Sequence, residues 1–575
     1  LVISQGRKTS YMSLFYLKIK TLMKKSNNFF IFIFFFFSSV SIYSQFFENL
    51  NSSFESYSAY YMDDKKTGDF NLEDRFRSNN YLNLKSNFSK NWYFELQVES
   101  YLPKSLLNYS PNFKNTNVST LKIDYIKNDL NLTIGNFYEQ FGSGMILRTW
   151  EDKSLGINNS LLGLNTNYQL NDQINITTLI GQQKKGFKYS KGYVLGFDSE
   201  FDLSNATKNN STFLLGLSYV GRDDQEGNNR NLNSMTSLFS ARVDYSYDSF
   251  YTNFEAVQKT NNPILVFGIP SETFIKKGSG FLINTGFFKE RLGFDFTFRR
   301  LENMSFYSEI QSAGNEYNES IINYLPALTK QHDYSLTNLY VYAAQPDVNF
   351  YVEDLMKSGE IGFQTDFYYL IKKDSFLGGK YGTSISLNAS LWNNLAGKYD
   401  FSNQSYETNL LEFGEKYFSE FSFEVRKKWS DNFENIFLYV NQYYNKRLIE
   451  LESGIVKSNI LVLDNTIKIQ NNKSLRIELQ HLSTKNDYRN WYAYGLEYNI
   501  NSDFSVYFNN LYNYENPNDK KRINYYNFGG SYSKGMNRFT INYGRQRGGL
   551  VCTGGICRYV PASTGLTFSV TTSFL

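Results

Sequence analysis

From about residue 50 onward, the chain is a succession of segments in which apolar and polar side chains alternate. Residues 292–299 read Leu-Gly-Phe-Asp-Phe-Thr-Phe-Arg, and residues 94–99 read Phe-Glu-Leu-Gln-Val-Glu. Successive side chains of a β-strand point to opposite faces, so each segment predicts a strand with one apolar and one ionic face. Alternation alone is also compatible with a soluble β-sandwich, whose polar face meets water.

The length and spacing of the segments favour a membrane barrel over a sandwich. Many segments run about ten residues or more, whereas globular strands usually have five or six. Short polar turns, such as 89–91 and 247–249, alternate with longer connections near 138–160, 260–276, 302–356 and 394–414. Strands of about 9–11 residues cross a bilayer when tilted, and closure leaves no unpaired edge in lipid.

We therefore predict an all-β fold consisting of a single large transmembrane antiparallel β-barrel over residues 45–575. The segments suggest about 24 strands (roughly 20–26), an even number with both termini periplasmic. The expected partner of the outer wall is the lipid of a Gram-negative outer membrane.

Composition excludes other classes. Aromatic residues make up 18% of the chain, which excludes a disordered protein, and 41% hydrophobic residues is too few for a helical membrane bundle. The basic residues of 1–44 account for the net charge of +4, so the remainder is near neutral and offers no nucleic-acid footprint. Two His and two Cys give little material for a metal site, and no motif implies a cofactor.

The N-terminal region has the layout of an export signal. Residues 23–44 contain a basic start at Met23-Lys24-Lys25, a Phe/Ile run and a Ser-rich end, which predicts a signal peptide. Residues 1–22 are then interpreted as an over-extended start of the reading frame. The alternative for 23–44 is a retained membrane anchor.

Two cysteines follow the export prediction. Cys552 and Cys557 flank Gly554-Gly555, and an oxidising compartment would favour a disulfide that closes this short loop. Free thiols are the alternative.

The last segment predicts a closing strand with an assembly function. Phe568, Val570 and Phe574 share one face of it. A closing strand with a near-terminal aromatic resembles the signal read by the barrel assembly machinery, which is therefore an expected partner. Leu575, which follows the aromatic, departs from the usual form of that signal.

Two segments carry a more particular resemblance. Residues 545–575, with Gly548-Gly549, the Cys552–Cys557 loop, Arg558 and Pro561, and residues 135–163 look similar to an uncharacterised family of outer-membrane β-barrel proteins from Bacteroidota. The resemblance covers essentially all of 45–575. It implies a barrel and an outer-membrane location, and it implies no substrate.

The connection 138–160 is too apolar and aromatic for an ordinary solvated loop. If it folds into the lumen at Gly142 and Gly144, its charged residues predict a pore constriction, much as the in-folded loop of general porins does. These residues are Glu139, Arg148, Glu151, Asp152 and Lys153. The alternative is a loop on the barrel rim with solvated charges.

Catalysis is not expected. His481 and Ser483 share a strand face in a slight resemblance to outer-membrane phospholipases, but the Asn-Gly stretch expected after the Ser is missing. Interfacial polar side chains explain the pair without chemistry.

The sequence thus predicts a porin-like channel for small polar solutes. The mixed charges of the expected inner face predict little preference for ion sign. The alternative function is a structural or surface-interaction barrel whose outer loops bind an envelope protein or a glycan, and the tyrosines of 302–356 suit either function.

Overall fold

The computed structural model describes residues 50–574, apart from 208–210, 225–234, 267–268, 311–318, 471 and 554–555. Among strand residues, the side chains of Phe88 and of 551–557 also lie outside the description. The predicted signal peptide and over-extended start fall outside the described residues. Within them, 24 strands form one antiparallel sheet, which confirms the predicted fold class.

The sheet begins with strands from the first half of the chain. They are β1 (Asn51–Tyr61), β2 (Phe76–Ser89), β3 (Trp92–Tyr101), β4 (Asn115–Lys127), β5 (Leu130–Phe137), β10 (Leu161–Asn171), β11 (Ile174–Lys185), β12 (Lys188–Asp202), β13 (Thr212–Asp223), β14 (Met235–Tyr247), β15 (Phe250–Val266) and β16 (Ile269–Lys289). The rest are β17 (Leu292–Glu302), β18 (Gly359–Ile371), β19 (Thr383–Asp400), β20 (Ser405–Lys428), β21 (Phe433–Asn445), β22 (Ile455–Ile469), β23 (Lys473–Ser483), β24 (Trp491–Asn499), β25 (Phe504–Tyr512), β26 (Asn524–Lys534), β27 (Asn537–Gln546) and β30 (Ser563–Phe574).

Short elements fill the connections. Three hairpins pair β6 (Gln140–Phe141) with β7 (Leu147–Arg148), β8 (Glu151–Asp152) with β9 (Ile157–Asn158), and β28 (Gly549–Thr553) with β29 (Ile556–Val560). Among the described residues, helical structure is limited to a single turn, α1 (Lys446–Ile449), and to 3₁₀ turns at Leu72–Asp74, Ser204–Ala206, Glu353–Leu355 and Asp519–Lys521. None of the helices in the described ranges has the length and apolarity needed to cross a membrane.

The sheet closes because its first and last strands pair. β1 runs antiparallel to β30, from Ser52 opposite Phe574 to Tyr61 opposite Gly565. β5 pairs directly with β10, and β27 pairs directly with β30. The short hairpins between them in sequence are therefore not part of the barrel wall. Closure gives each spanning strand a hydrogen-bonded neighbour on both sides, which the hydrocarbon core of a membrane requires.

The two ends of the barrel differ. One end, the short-turn end, carries tight turns such as 128–129 and 248–249, together with the start of β1 and the end of β30. The other, the long-loop end, carries the extended connections.

The prediction of long loops near 260–276 and 394–414 was wrong in detail. Both regions are mostly strand: β15 pairs with β16 and β19 with β20 far along their length, with a turn at 401–404. Backbone pairing continues there without apolar–polar alternation. Leu410 and Leu411, for example, are both exposed.

The outer wall is apolar. Ile134, Leu217, Phe239 and Leu479 are among its exposed side chains. Neighbouring rings touch across strands, with centroid distances of 5.5 Å for Phe281–Phe298 and 6.0 Å for Phe296–Phe363. A closed barrel with this exterior is suited to cross a lipid bilayer.

The last strand contributes to the same surface. Phe568 and Phe574 are exposed on it and Val570 is half-buried. Their role as an assembly signal stays a prediction.

The core of the protein lies inside the barrel. Two connections turn into the lumen: residues 138–160, hereafter the first insert, and residues 303–310 with 319–358, hereafter the second insert. The buried clusters combine insert residues with inward-facing residues of the wall. The inserts therefore take the place of a core that a wide barrel cannot form from its wall alone.

The hairpin β28–β29 bears on the predicted disulfide. Its register places the backbone of Cys552 opposite that of Cys557, although their side chains lie outside the description. Directly opposite residues in an antiparallel pair have Cα atoms about 4.5–5.5 Å apart, within the range that a disulfide spans. The register therefore permits the disulfide, which remains a prediction.

We expect both thiols to resist maleimide labelling in the denatured, unreduced protein and to be labelled after reduction. Mass spectrometry of the peptide containing 552–557 would count the labels. Labelling of both cysteines before reduction would show that the disulfide is absent.

Candidate functional site

The first insert enters the lumen at a glycine-dependent bend, which is one of the two alternatives that the sequence left open. Gly142 (φ +54°) and Gly144 (φ +91°) adopt left-handed backbone conformations that favour glycine. A Cβ at Gly142 would lie 3.0 Å from the carboxylate oxygens of Glu255 on β15. The backbone N–H of Ser143 donates to Glu255 at 2.8 Å. The tip of the insert thus rests against the wall.

The apolar residues of the first insert pack on an apolar belt of the inner wall. Ile146 and Leu147 are fully buried. The wall contributes Val194, Val220 and Leu238 to this cluster, from three successive strands. These inward valine and leucine residues explain why a loop rich in Phe, Met and Leu is stable inside the lumen.

The second insert packs against the opposite side of the barrel. Leu336 and Tyr342 are completely buried in a cluster with inward-facing side chains of β21 to β24. The wall residues of this cluster include Leu438, Val440, Ile460, Val462 and Leu482. The sequence signal for this contact is Ile-Leu-Val-Leu at 460–463, because a strand that is apolar on both faces meets both lipid and a core.

A buried ion pair fixes the base of the second insert. Arg299 on β17 contacts Glu360 on β18 at 2.6 Å, and their side chains are only 4% and 0% exposed. The hydroxyl of Tyr342 and the backbone N–H of Gln345 donate to the other carboxylate oxygen, at 2.6 and 2.7 Å. Glu360 therefore joins two wall strands to the insert.

Other polar contacts carry the second insert across the lumen. On one side, Lys185 of β11 pairs with Glu309 at 2.9 Å. On the other, the backbone N–H of Leu336 donates to Gln480 of β23 at 2.8 Å. His332 lies 3.0 Å from Glu420 of β20, a partner that the sequence did not reveal. The insert is thus held by walls on both sides.

The two inserts are also bound to each other. The side chain of Asn323 donates to the backbone carbonyls of Met145 and Met304, both at 2.8 Å. The rings of Trp150 and Tyr324 lie 4.5 Å apart. Because one amide bridges the first insert and the two arms of the second, the inserts behave as one packed unit.

The structure does not gather the five predicted constriction residues around one opening. Glu139 accepts from Asn165 at 2.8 Å and lines a polar cavity. Arg148 lies over the ring of Tyr324, 5.8 Å from its centroid. Their role in a pore stays a prediction.

The other three lie near the β1–β3 wall or within the insert. Glu151 accepts from Gln97 at 2.8 Å, and Lys153 pairs with Glu55. Asp152 accepts from the hydroxyl of Ser154 at 2.6 Å.

Burial shifts the pKa of two insert residues. Desolvation is the main cause that raises the pKa of Glu151. It lowers the pKa of Lys357 to about 8, and the amine donates to the carbonyl of Leu448 at 3.0 Å.

Two cavities lie where the first insert faces the wall toward the short-turn end. One, of about 590 Å³, lies between Gly142-Ser143 and strands β12 to β17. The other, of about 330 Å³, is lined by Asn and Thr side chains of β5, β10 and β11. They share Gln140 and Asp198, and we call them together the vestibule.

The vestibule is acidic. Its ionisable lining consists of Glu139, Asp198, Glu200, Asp244, Glu255 and a single cation, Arg242. Arg242 pairs with Asp198 at 2.8 Å and lies 3.8 Å from Glu200. Four carboxylates therefore remain in excess. The sequence missed this because the carboxylates come from four separate segments of the chain.

His481 and Ser483 have separate partners on the outside of the barrel. His481 hydrogen bonds to the hydroxyl of Tyr514 at 2.9 Å, and Ser483 donates to the carbonyl of Asn459 at 3.4 Å. Both contacts fit polar side chains near the membrane interface.

Comparison with known proteins gives a family and similar folds. Residues 23–574 match the family described as "Family of unknown function (DUF6029)". No curated protein matches the chain.

Solved structures similar to the chain include three barrels. The siderophore receptor PirA from Pseudomonas aeruginosa has 8% identity over 92% of this chain and 80% of its own, with a TM-score of 0.39. The P pilus usher (PapC) translocation pore has 9% identity over 92% and 99%, also with a TM-score of 0.39. The outer membrane protein OpdK from Pseudomonas aeruginosa has 9% identity over 69% and 94%, with a TM-score of 0.36.

Replacing Glu360 with Gln should destabilise the protein by about 3–5 kcal/mol, because Arg299 would remain buried without its carboxylate. Urea unfolding in lipid vesicles would measure the free energy. Glu412→Gln, at an exposed position, is the control and should change it by less than about 0.5 kcal/mol. Equal effects of the two substitutions would contradict the role of the pair.

Proposed function

The chain belongs to the family of unknown function DUF6029, and we propose that it is an outer-membrane transport barrel that passes small polar solutes and prefers cations. The observation that carries this proposal is the acid-lined vestibule beneath the inserts. Several carboxylates without a paired cation around open space repel one another, which destabilises the folded protein. A purely structural role of the lumen does not explain them.

The orientation follows from the two ends of the barrel. Outer-membrane barrels have short periplasmic turns and longer outer loops, so we propose that the short-turn end, with the start of β1 and the end of β30, faces the periplasm. The vestibule is lined by residues close to those turns, such as Asn131 after 128–129 and Asn253 after 248–249. It therefore opens toward the periplasm.

The charge of the vestibule sets the preference among solutes. Rings of Asp and Glu favour cations in membrane pores. The sequence predicted little preference because acidic and basic residues are mixed along the chain. In the folded barrel the acids collect at the vestibule, while cations such as Lys185 and Arg299 pair with insert or wall carboxylates elsewhere.

Passage requires movement of an insert. The apolar clusters on both sides of the lumen leave the vestibule below the packed inserts. Because Asn323 joins the two inserts, we propose that they move as one unit and that contacts such as the one between Leu336 and Gln480 then release the second insert from the far wall. Hydrogen bonds of this kind contribute about 1 kcal/mol each and are reversible.

In planar bilayers under a salt gradient, the open protein should be cation-selective. The double substitution Glu200→Gln with Asp244→Asn should lower the cation-to-anion permeability ratio roughly threefold, since two of the vestibule charges are lost. Asp172→Asn removes a charge from an exposed short turn and should leave the ratio unchanged. Anion selectivity of the wild type would contradict the proposal.

Locking the second insert to the wall should stop the current. Ser335 and Gln480 lie 3.2 Å apart between the hydroxyl oxygen and the amide nitrogen, and Ser335 is exposed. We propose S335C/Q480C in a background with both native cysteines replaced by Ser, joined by a short bis-thiosulfonate cross-linker. Conductance steps should vanish after cross-linking and return after reduction.

The control joins two wall strands and leaves the insert free. Asn441 and Asn459 are cross-strand neighbours on β21 and β22, and both are exposed. Cross-linked N441C/N459C should conduct as before. Unchanged currents in the locked S335C/Q480C protein would refute gating by the second insert, and a wild type silent at every voltage would refute transport.

A further inference from the structure

We propose that the long-loop end carries a binding site for an acidic saccharide, in a cavity distinct from the vestibule. The cavity, hereafter the rim cavity, has a volume of about 430 Å³. It lies among the loops that follow β21, β23 and β25 and the strands β28 and β29. Sites for small ligands commonly have volumes of about 300–1,000 Å³, so a few sugar rings fit.

Aromatic side chains supply flat apolar surfaces. Trp491 and Tyr525 stack with centroids 6.5 Å apart and an angle of 17° between their planes. Tyr340 of the second insert, Tyr488 and Tyr559 line the same cavity. The C–H face of a pyranose packs on such rings, while Tyr and Trp offer polar groups at their edges.

The cations of the rim cavity outnumber its acids. The acids are Glu450, Glu452 and Asp487, and all three surround Lys446, at 3.9, 2.8 and 3.2 Å. The remaining cations of the lining are Lys65, Lys66, Lys520, Lys521 and Arg547. None of these five forms an ion pair within the described part of the chain. The cavity is therefore electropositive, in contrast to the vestibule.

Arg547 indicates a specific binding site for an anionic group, beyond the general attraction of anions to a positively charged surface. Its neighbour Arg545 pairs with Asp64 at 2.6 Å, whereas no described carboxylate lies within ion-pair distance of Arg547. Its guanidinium lies against Gly549 (φ +124°), where a Cβ would come within 3.0 Å of Nη1. Burial also lowers the pKa of Arg547.

A half-buried guanidinium without a carboxylate loses hydration without compensation. The carboxylate of a uronic acid, or the phosphate of a sugar phosphate, would provide two parallel hydrogen bonds to it. The Gly548-Gly549 pair, part of a sequence segment that the transport proposal leaves unexplained, allows the close approach of the guanidinium to the backbone.

A second polar group points to the same region. The indole nitrogen of Trp491 is buried and has no hydrogen-bond partner among the described residues. Trp491 itself is 5% exposed and lines the cavity. The ring of Trp491, stacked on Tyr525, gives the cavity an apolar wall on which the C–H face of a saccharide can pack.

Binding is tested with purified full-length protein in lipid nanodiscs by titration calorimetry. Trigalacturonic acid and glucose 6-phosphate are the acidic sugar probes, maltotriose is the neutral sugar, and triglutamate is the acidic chain without sugar rings. We expect saturable binding of at least one acidic sugar. Maltotriose and triglutamate should bind at least tenfold more weakly.

Arg547→Gln should weaken binding of the acidic sugar at least tenfold, and Tyr525→Leu should weaken it severalfold. Arg489→Gln removes an exposed positive charge from the same end and does not line the cavity, so it should change affinity less than twofold. Heat-modifiable migration on gels checks that each variant is folded.

The proposal is overturned if neither acidic sugar binds, if Arg547→Gln binds as the wild type does, or if maltotriose binds equally well. Equal binding of triglutamate would also overturn it, in favour of an acidic peptide. The measurement needs no conductance, so this proposal and the transport proposal fail separately.

Discussion

Pairing of β1 with β30 satisfies the backbone hydrogen bonds of the spanning strands and also fixes a lumen that inward side chains cannot fill. Two connections between strands fold inward and occupy part of this lumen. Their apolar residues meet an apolar belt on the inner wall, and their polar residues meet partners such as Gln480. The barrel wall therefore encloses a packed protein core, and the vestibule is the part of the lumen that this core leaves open.

Charge is distributed unevenly once the barrel is closed. Carboxylates collect at the vestibule, unpaired cations collect at the rim cavity, and a buried pair, Arg299 with Glu360, lies between wall and insert. A near-neutral chain thus presents opposite fields at its two ends. Such fields attract ligands of opposite charge. This is the physical basis for proposing cation passage through the vestibule and acidic-saccharide binding at the rim cavity.

Sequence reasoning reached the fold because the membrane imposes a strict pattern. Phe294 is exposed on the wall and Arg299 is buried inside, as their alternation predicted. It also offered an inward bend at Gly142 and Gly144 as one of two alternatives for the first insert, and the structure has that bend. It did not predict the packing of the second insert on apolar side chains of the inner wall or the inward position of Trp491, because neither follows from alternation along one strand.

The sequence by itself determined strand identity, the approximate strand number and the apolar exterior, since lipid selects every second residue locally. Only the tertiary structure decided which charges share a space. Glu139, Asp198 and Glu255 lie far apart in the chain, and Tyr340 meets Asp487 across 147 positions at 2.9 Å. Such contacts depend on how the loops fold across a closed lumen, and this cannot be predicted from the spacing of residues along the chain.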